Sequence, residues 1–169
     1  YGELGNITEA LQCYDRVIAL DPACAMAWFR KGAALASTAQ YVPAVEMLHT
    51  ALKIKPGYAN GWCDLAFALS ELKNYEDAVA AYDRALAINP NYANACYDKG
   101  LTLILLDRHN EAVAAFDRTV AIDPNFADAY HYKGISLMRM ERNNDAVTAF
   151  DAALAIKPGS PETIYQKGV

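Results

Sequence analysis

Small and large apolar residues recur along the chain at a fixed interval. An alanine at Ala10, Ala44, Ala78, Ala112 and Ala146 is followed four residues later by a large apolar side chain, at Tyr14, Leu48, Tyr82, Phe116 and Phe150. Residues four apart lie on one face of a helix, so this spacing predicts a helix with one buried face. The pattern returns every 34 residues and therefore predicts a series of similar helices with a shared core.

A second helix is predicted in each period. A small residue recurs at Gly32, Ala66, Gly100 and Gly134, four residues after Trp28, Trp62, Cys96 and Tyr130. A small side chain at this point lets the two helices of a pair approach closely. A proline then ends the pair at Pro22, Pro56, Pro90, Pro124 and Pro158, because proline lacks the N–H of a helical residue. We expect helix A at about positions 2–14 and helix B at about positions 17–30 of each period.

These residues resemble the tetratricopeptide repeat pattern, in which an aromatic residue, a Leu-Gly pair, a tyrosine, an alanine, a phenylalanine and a proline recur in order. Trp62, Leu65, Ala66, Leu69, Ala78, Tyr82 and Pro90 stand at the positions of that pattern, with Leu69 in place of the tyrosine. In the other full repeats, Lys31, Lys99 and Lys133 replace the leucine, and Leu35, Leu103 and Leu137 replace the tyrosine. The resemblance covers the whole chain and implies an all-α fold, a right-handed superhelical solenoid of antiparallel helix pairs.

The period divides the chain into a single array. We expect a partial repeat at 1–24, full repeats at 25–58, 59–92, 93–126 and 127–160, and a partial capping helix at 161–169, begun by Ser160, Pro161 and Glu162. Tyr1 falls at repeat position 11 and Val169 at position 9. Two explanations stay open: the chain is a piece of a longer array or has lost flanking residues, or the tail of one copy completes the head of another.

Composition narrows the classes of partner. The 169 residues include 15 Lys and Arg against 20 Asp and Glu, for a net charge of −5, and no basic cluster occurs, which disfavours nucleic acid. No apolar run of about eighteen residues is present to cross a bilayer, and the first residues are not a signal peptide. The four cysteines, Cys13, Cys24, Cys63 and Cys96, show no CxxC pairing. We therefore expect reduced thiols, a cytoplasmic location and no membrane partner.

The sequence offers little support for catalysis or for a cofactor. His49, His109 and His131 fall on different helix faces and do not have the spacing of a zinc helix. Cys63 and His131 share a repeat position but stand two repeats apart, too far for a nucleophile and its base. No glycine-rich phosphate loop occurs. Asp15-Arg16, Asp83-Arg84 and Asp117-Arg118 are interpreted as solvated charge on helix B. We expect a protein that is not an enzyme.

The resemblance implies that ligands bind on the concave wall formed by the A helices. The candidate groove residues are Phe29, Asn60, Cys63, Asp64, Phe67, Asn94, Tyr97, Asp98, Leu101, Asp128 and His131. Apolar side chains bordered by asparagine and aspartate favour a protein or peptide ligand with apolar anchors and some positive charge. The alternative for Phe67 and Leu101 is that they belong to the core between adjacent A helices.

One ligand mode of the family is not expected here. Its carboxylate clamp, which holds the C-terminal carboxylate of a chaperone, needs lysine, arginine and asparagine on successive A helices. The corresponding places hold Arg30, then Asp64 and Asp98. The sequence therefore predicts a non-catalytic scaffold that binds a partner in the groove. The alternative function is a structural module that self-associates through its open repeat ends or its groove.

Overall fold

The computed structural model describes the backbone of residues 2–168 and the side chains of residues 7–168. The described part forms helices joined by short turns and contains no strand. The helices are α1 (Gly2–Leu20), α2 (Ala25–Ser37), α3 (Tyr41–Ile54), α4 (Ala59–Glu71), α5 (Tyr75–Ile88), α6 (Ala93–Leu105), α7 (His109–Ile122), α8 (Ala127–Arg139), α9 (Asn143–Ile156) and α10 (Pro161–Gly168). The predicted all-α class of paired helices is confirmed.

The chain divides into two compact units, an N-terminal unit at Tyr1–Pro90 and a C-terminal unit at Asn91–Val169. In the N-terminal unit, α2 packs against α3 and α4 against α5; in the C-terminal unit, α6 packs against α7 and α8 against α9. The first helix of each of these pairs is an A helix of 13 residues, and the second is a B helix of 14 residues. α1 is a B helix and α10 is an A helix. None of these helices, within residues 2–168, is both long and apolar enough to cross a membrane.

The turn from each A helix to its B helix has one geometry. Ala39, Lys73, Asp107 and Glu141 have φ between 58° and 62°, in the left-handed region. The next residue donates its N–H back to the last turn of helix A, as from Asn74 to the Leu69 carbonyl at 2.9 Å. This arrangement satisfies carbonyl groups that the end of a helix leaves open. It reverses the chain within three residues, although none of the four is a glycine.

The small residues of the A helices allow the close approach that the sequence predicts. At Gly100, an added Cβ would lie 2.6 Å from Cε1 of Phe116, and at Gly134 it would lie 2.5 Å from Cε1 of Phe150. Both rings are almost fully buried. In the N-terminal unit, Leu48 covers Gly32 in the same way. The repeated glycine is thus the surface on which the large B-helix side chain packs.

Two details differ from the sequence analysis. α1 is one helix from Gly2 and begins before Ile7, where the period predicts the start of helix B. The aspartates interpreted as solvated charge have partners: Asp15 pairs with Lys31 and Asp117 with Lys133, at 2.5 Å between oxygen and nitrogen. These pairs join a B helix to the following A helix. Because they remain partly exposed, each contributes about 0–1 kcal/mol to stability.

The end of the described chain follows the predicted pattern. α10 begins at Pro161, and the Ser160 hydroxyl accepts a hydrogen bond from the Thr163 N–H at 3.5 Å. Proline is favoured in the first helical position because it has no N–H to leave unsatisfied. Lys167 of α10 pairs with Asp151 of α9 at 2.5 Å. α10 is therefore held on α9 by the same kind of pair that joins α2 to α1 and α8 to α7.

Candidate functional site

A cleft of about 340 Å³ opens on the A-helix side of the C-terminal unit, and we call it the Tyr97 cleft. It brings together three of the predicted groove residues and four others. Its lining comprises Tyr97, Asp128, His131, Tyr132, Lys157, Ser160 and Glu162. Tyr132 occupies the same repeat position as Asp98, and Glu162 the same position as Asp128. The 34-residue period therefore places both among the candidate groove positions. Lys157 and Ser160 come from the loop after α9, which an inspection of A helices alone misses.

Tyr97 forms one wall of the cleft and is half-buried. Its ring lies 4.8 Å from that of Phe126 and 6.0 Å from those of Phe116 and Tyr132, centroid to centroid. Burial raises the pKa of the Tyr97 hydroxyl, and Tyr132, Asp128 and Asp98 raise it further. The phenol therefore stays neutral and can both donate and accept a hydrogen bond. The aromatic contacts fix the ring, so the hydroxyl is presented in one place.

Asp98 stands beside Tyr97 as a half-buried carboxyl group. Burial raises its pKa to about 6, and no basic side chain within residues 7–168 offsets that shift. The charge of Asp98 also contributes to the raised pKa of Tyr97, after burial, Tyr132 and Asp128. Near neutral pH the group is mostly charged, although its surroundings solvate the charge poorly. A cation placed beside Asp98 would compensate for this cost.

His131 both lines the cleft and anchors the last helix. Its Nδ1 lies 2.9 Å from the Thr163 hydroxyl oxygen, and Thr163 is buried in α10. The imidazole also lies 5.9 Å from the Phe150 ring, centroid to centroid. Burial lowers the pKa of His131, while Asp128 and Glu162 act in the opposite direction. Near neutral pH, His131 therefore serves as a neutral hydrogen-bonding group.

The predicted residues of the N-terminal unit have different surroundings. Asp64 is half-buried, and burial raises its pKa while the charge of Arg30 lowers it. Asp64 thus has a compensating cation, whereas Asp98 has none among residues 7–168. Phe67 is 47% exposed and meets the Tyr41 ring edge-on at 6.1 Å between centroids. This exposure leaves Phe67 accessible as an apolar contact.

Phe29 lies in the core of the N-terminal unit. It is only 2% exposed, its ring lies against Gly61 of the next A helix, and its centroid is 4.5 Å from that of Tyr58. Phe29 therefore holds α2 against α4 and is not accessible to a ligand. Of the other predicted residues, Asn60, Asn94 and Asp128 are exposed, and Cys63 and Leu101 are half-buried.

Metal-binding side chains do not converge in the described part of the chain. Within residues 7–168, no three His, Cys, Asp or Glu side chains are grouped so as to hold a metal ion. Cys13, Cys24, Cys63 and Cys96 are free thiols, and Cys96 is buried. What the described side chains do provide on the A-helix side is a set of hydrogen-bonding, aromatic and acidic groups, which suits recognition of a polypeptide.

Comparison with known proteins identifies the kind of fold. Three family models, each described as tetratricopeptide repeat, match residues 1–59, 59–92 and 93–126. No curated protein matches the sequence. The crystal structure of MamA is similar over 92% of this chain and 91% of that chain, with 26% identity and a TM-score of 0.89. MamA from Desulfovibrio magneticus RS-1 covers 94% of this chain and 90% of its own, with 21% identity and a TM-score of 0.86.

A third similar structure is that of YrrB, described as a TPR protein with an unusual peptide-binding site. The likeness covers 99% of this chain and 87% of that chain, with a TM-score of 0.88. At 24% identity it shows a shared fold. The chain therefore shares its fold with solved proteins of this repeat type.

Proposed function

Because the chain belongs to the tetratricopeptide repeat family, we propose that it is a non-catalytic interaction module that binds a partner polypeptide on its A-helix side. The partner segment carries a lysine or arginine together with apolar side chains. In the C-terminal unit, the basic side chain binds at Asp98, which follows Tyr97 in α6 and lies outside the residues that line the Tyr97 cleft. The fold supports the class of function, and the chemistry of the cleft supports the kind of partner.

The observation that carries this proposal is the uncompensated carboxyl group of Asp98. Burial raises its pKa to about 6 and no basic side chain within residues 7–168 offsets that shift, so its ionised form is costly in the free protein. A bound ammonium or guanidinium group removes that cost and gains a charge-assisted hydrogen bond, worth about 1.5–3 kcal/mol. The lining of the Tyr97 cleft holds two acidic side chains, Asp128 and Glu162, against one basic side chain, Lys157, so its charge is acidic on balance.

Apolar contacts and backbone hydrogen bonds supply the rest of the recognition. Phe67 in the N-terminal unit and Leu105 in the C-terminal unit are 47% and 60% exposed. Each can cover an apolar side chain of a ligand, for which burial contributes about 1.5–3 kcal/mol. The exposed amides of Asn60 and Asn94 can bond to the backbone of an extended segment.

Selection from a displayed library of random peptides tests the proposal directly. We expect the chain to enrich peptides that combine lysine or arginine with apolar residues. Asp98→Asn should weaken their binding by about tenfold, because it removes the charge but keeps the shape. Tyr97→Phe tests the hydroxyl without disturbing the packed ring. Glu46→Gln, on the surface of α3, also removes one negative charge and is the matched control; it should leave binding unchanged.

Enrichment of acidic peptides, or equal binding by the parent chain and Asp98→Asn, would contradict the proposed site. Head-to-tail self-association, the alternative from the sequence analysis, stays a prediction. Light scattering over a concentration series tests it, and a constant monomer mass would contradict it.

A further inference from the structure

A second pocket, of about 270 Å³, lies on the B-helix side of the N-terminal unit. Its floor comes from α4, and its walls come from the B helices α3 and α5. We call it the Trp62 pocket, and the side chains that define it are His49, Trp62, Leu65, Leu69, Asp77 and Arg84. None of them belongs to the Tyr97 cleft.

The Trp62 pocket lies at a junction between a B helix and the following A helix where other residues replace an ion pair found at other junctions. At three other junctions a lysine of helix A pairs with an aspartate of the preceding helix B, as in Lys31 with Asp15, Lys133 with Asp117 and Lys167 with Asp151. At the junction of α3 and α4, the corresponding residues are His49 and Leu65. Leu65 is 1% exposed and belongs to the floor. The exposed His49 forms no ion pair within residues 7–168.

The charged side chains of the Trp62 pocket also differ from those of the equivalent pocket in the C-terminal unit. In the C-terminal unit, the equivalent pocket is neutralised by the pairs Lys133–Asp117 and Arg142–Asp145. In the Trp62 pocket, Asp77 accepts a hydrogen bond from the Asn74 amide at 2.7 Å. Arg84 is exposed and forms no ion pair with any side chain in residues 7–168. Its guanidinium is available to an incoming anion.

Trp62 gives the pocket a fixed apolar wall. Its indole Nε1 donates to the Pro56 carbonyl at 2.8 Å, which holds the ring in one orientation. The ring is half-buried and lines the pocket together with Leu65 and Leu69, so one part of it remains open. A rigid aromatic surface loses little conformational entropy when an aliphatic side chain packs on it.

We propose that the Trp62 pocket is a second docking site, which takes a partner segment that carries an aliphatic side chain next to a carboxylate. The aliphatic side chain packs on Trp62 and the leucine floor. The carboxylate meets Arg84, whose planar guanidinium suits a carboxylate in two parallel hydrogen bonds, and His49 borders it. The pocket therefore selects a charge opposite to that selected by the Tyr97 cleft.

Heteronuclear NMR of the intact chain tests this site with the peptide acetyl-Ala-Leu-Glu-Leu-Ala-amide. We expect saturable movement of the Trp62 indole signal, with a Kd on the order of millimolar for so small a contact. Trp28 is the internal control, because its indole makes the same hydrogen bond, to Pro22 at 2.9 Å, beside an intact Lys31–Asp15 pair. Its signal should stay in place.

Peptides with glutamine or lysine in place of glutamate measure the role of charge. An exposed ion pair contributes about 0.2–1 kcal/mol, so the glutamine peptide should bind about threefold more weakly. The lysine peptide should bind more weakly still. Equal binding of all three peptides, or joint movement of the Trp28 and Trp62 signals, would overturn the proposal.

Two variants locate the contact on the protein. Arg84→Thr introduces the residue type found at the same repeat position in α3, Thr50. This variant should bind the glutamate peptide about threefold more weakly. His49→Asp restores the aspartate of the other junctions and should weaken it further. Arg16→Thr, at the same position in α1, is the matched control. Asp98→Asn should leave binding of the glutamate peptide unchanged, so that the Trp62 pocket and the proposed function are tested independently. Unchanged binding of the glutamate peptide by both Arg84→Thr and His49→Asp would refute the assignment.

Discussion

At the scale of the single residue, Asp98 links the stability of the fold to its proposed function. Its carboxyl group is half-buried, and burial alone raises its pKa to about 6. The neighbouring A-helix aspartate, Asp64, has the charge of Arg30 as compensation. A residue that is costly in the free protein but useful in a complex is typical of a binding site, because natural proteins accept local strain where function requires it.

This view predicts the effect of Asp98→Asn on stability. The pKa of Asp98 is about 6 in the folded protein and near 4 in the unfolded chain. The contribution of Asp98 to stability is therefore fully present below about pH 4 and is lost as the pH rises through about 6. Asparagine avoids the loss. The variant should therefore gain in Tm over the parent chain as pH is raised from about 4 to about 7.5, measured by circular dichroism.

Asp128→Asn removes an exposed carboxyl group from the lining of the Tyr97 cleft and serves as the control, with little change in Tm at either pH. A lower Tm for Asp98→Asn at the higher pH would show that the carboxylate stabilises the fold. A difference in Tm that does not vary with pH would show that the burial of Asp98 does not govern its ionisation.

At the scale of the element, the stability of each helix pair depends on a side chain of helix B that packs on a small residue of helix A. Phe116 and Phe150 are almost fully buried against Gly100 and Gly134. A ring enclosed in this way cannot move aside without disturbing the rest of the pair. The sequence period therefore corresponds to a physical requirement for close contact between helices.

Gly100→Ala should lower the free energy of unfolding by about 1–3 kcal/mol, because the new Cβ would lie 2.6 Å from Cε1 of Phe116. Gly57→Ala is the control: an added Cβ there has no heavy atom within 4 Å, and we expect a change within about 0.5 kcal/mol. Chemical denaturation of both variants provides the measurement. A stable Gly100→Ala variant would mean that Phe116 can move, and that the close contact is not required.

Contacts within a helix pair could be predicted from the sequence, whereas contacts between pairs and in the turns could not. Periodic contacts such as Phe116 on Gly100 could be predicted, because they repeat at fixed spacing within one helix pair. The burial of Phe29 against Gly61 could not, because it depends on how closely successive A helices approach. The left-handed conformation of Lys73 and Asp107 carries no glycine signal. The Tyr97 cleft includes Lys157 and Ser160, which belong to a loop outside the helical pattern.

At the scale of the whole molecule, the net charge and the two proposed sites are consistent with a chain that binds partner segments. The chain carries a net charge of −5, which favours the approach of a basic partner over an acidic one. The Tyr97 cleft lies in the C-terminal unit, whereas the Trp62 pocket lies in the N-terminal unit and selects the opposite charge. Recognition of two kinds of segment by one chain is the behaviour expected of a scaffold.

Calorimetry of a selected lysine-containing peptide, at about pH 5 and about pH 7.5, tests whether Asp98 binds the cation of the ligand. A cation beside Asp98 favours its ionised form, so that binding at the lower pH must release a proton. For a pKa of about 6, affinity for the parent chain should rise about tenfold across this range, whereas Asp98→Asn should bind more weakly and with little dependence on pH. Equal affinities and equal pH dependence for the two proteins would contradict the account.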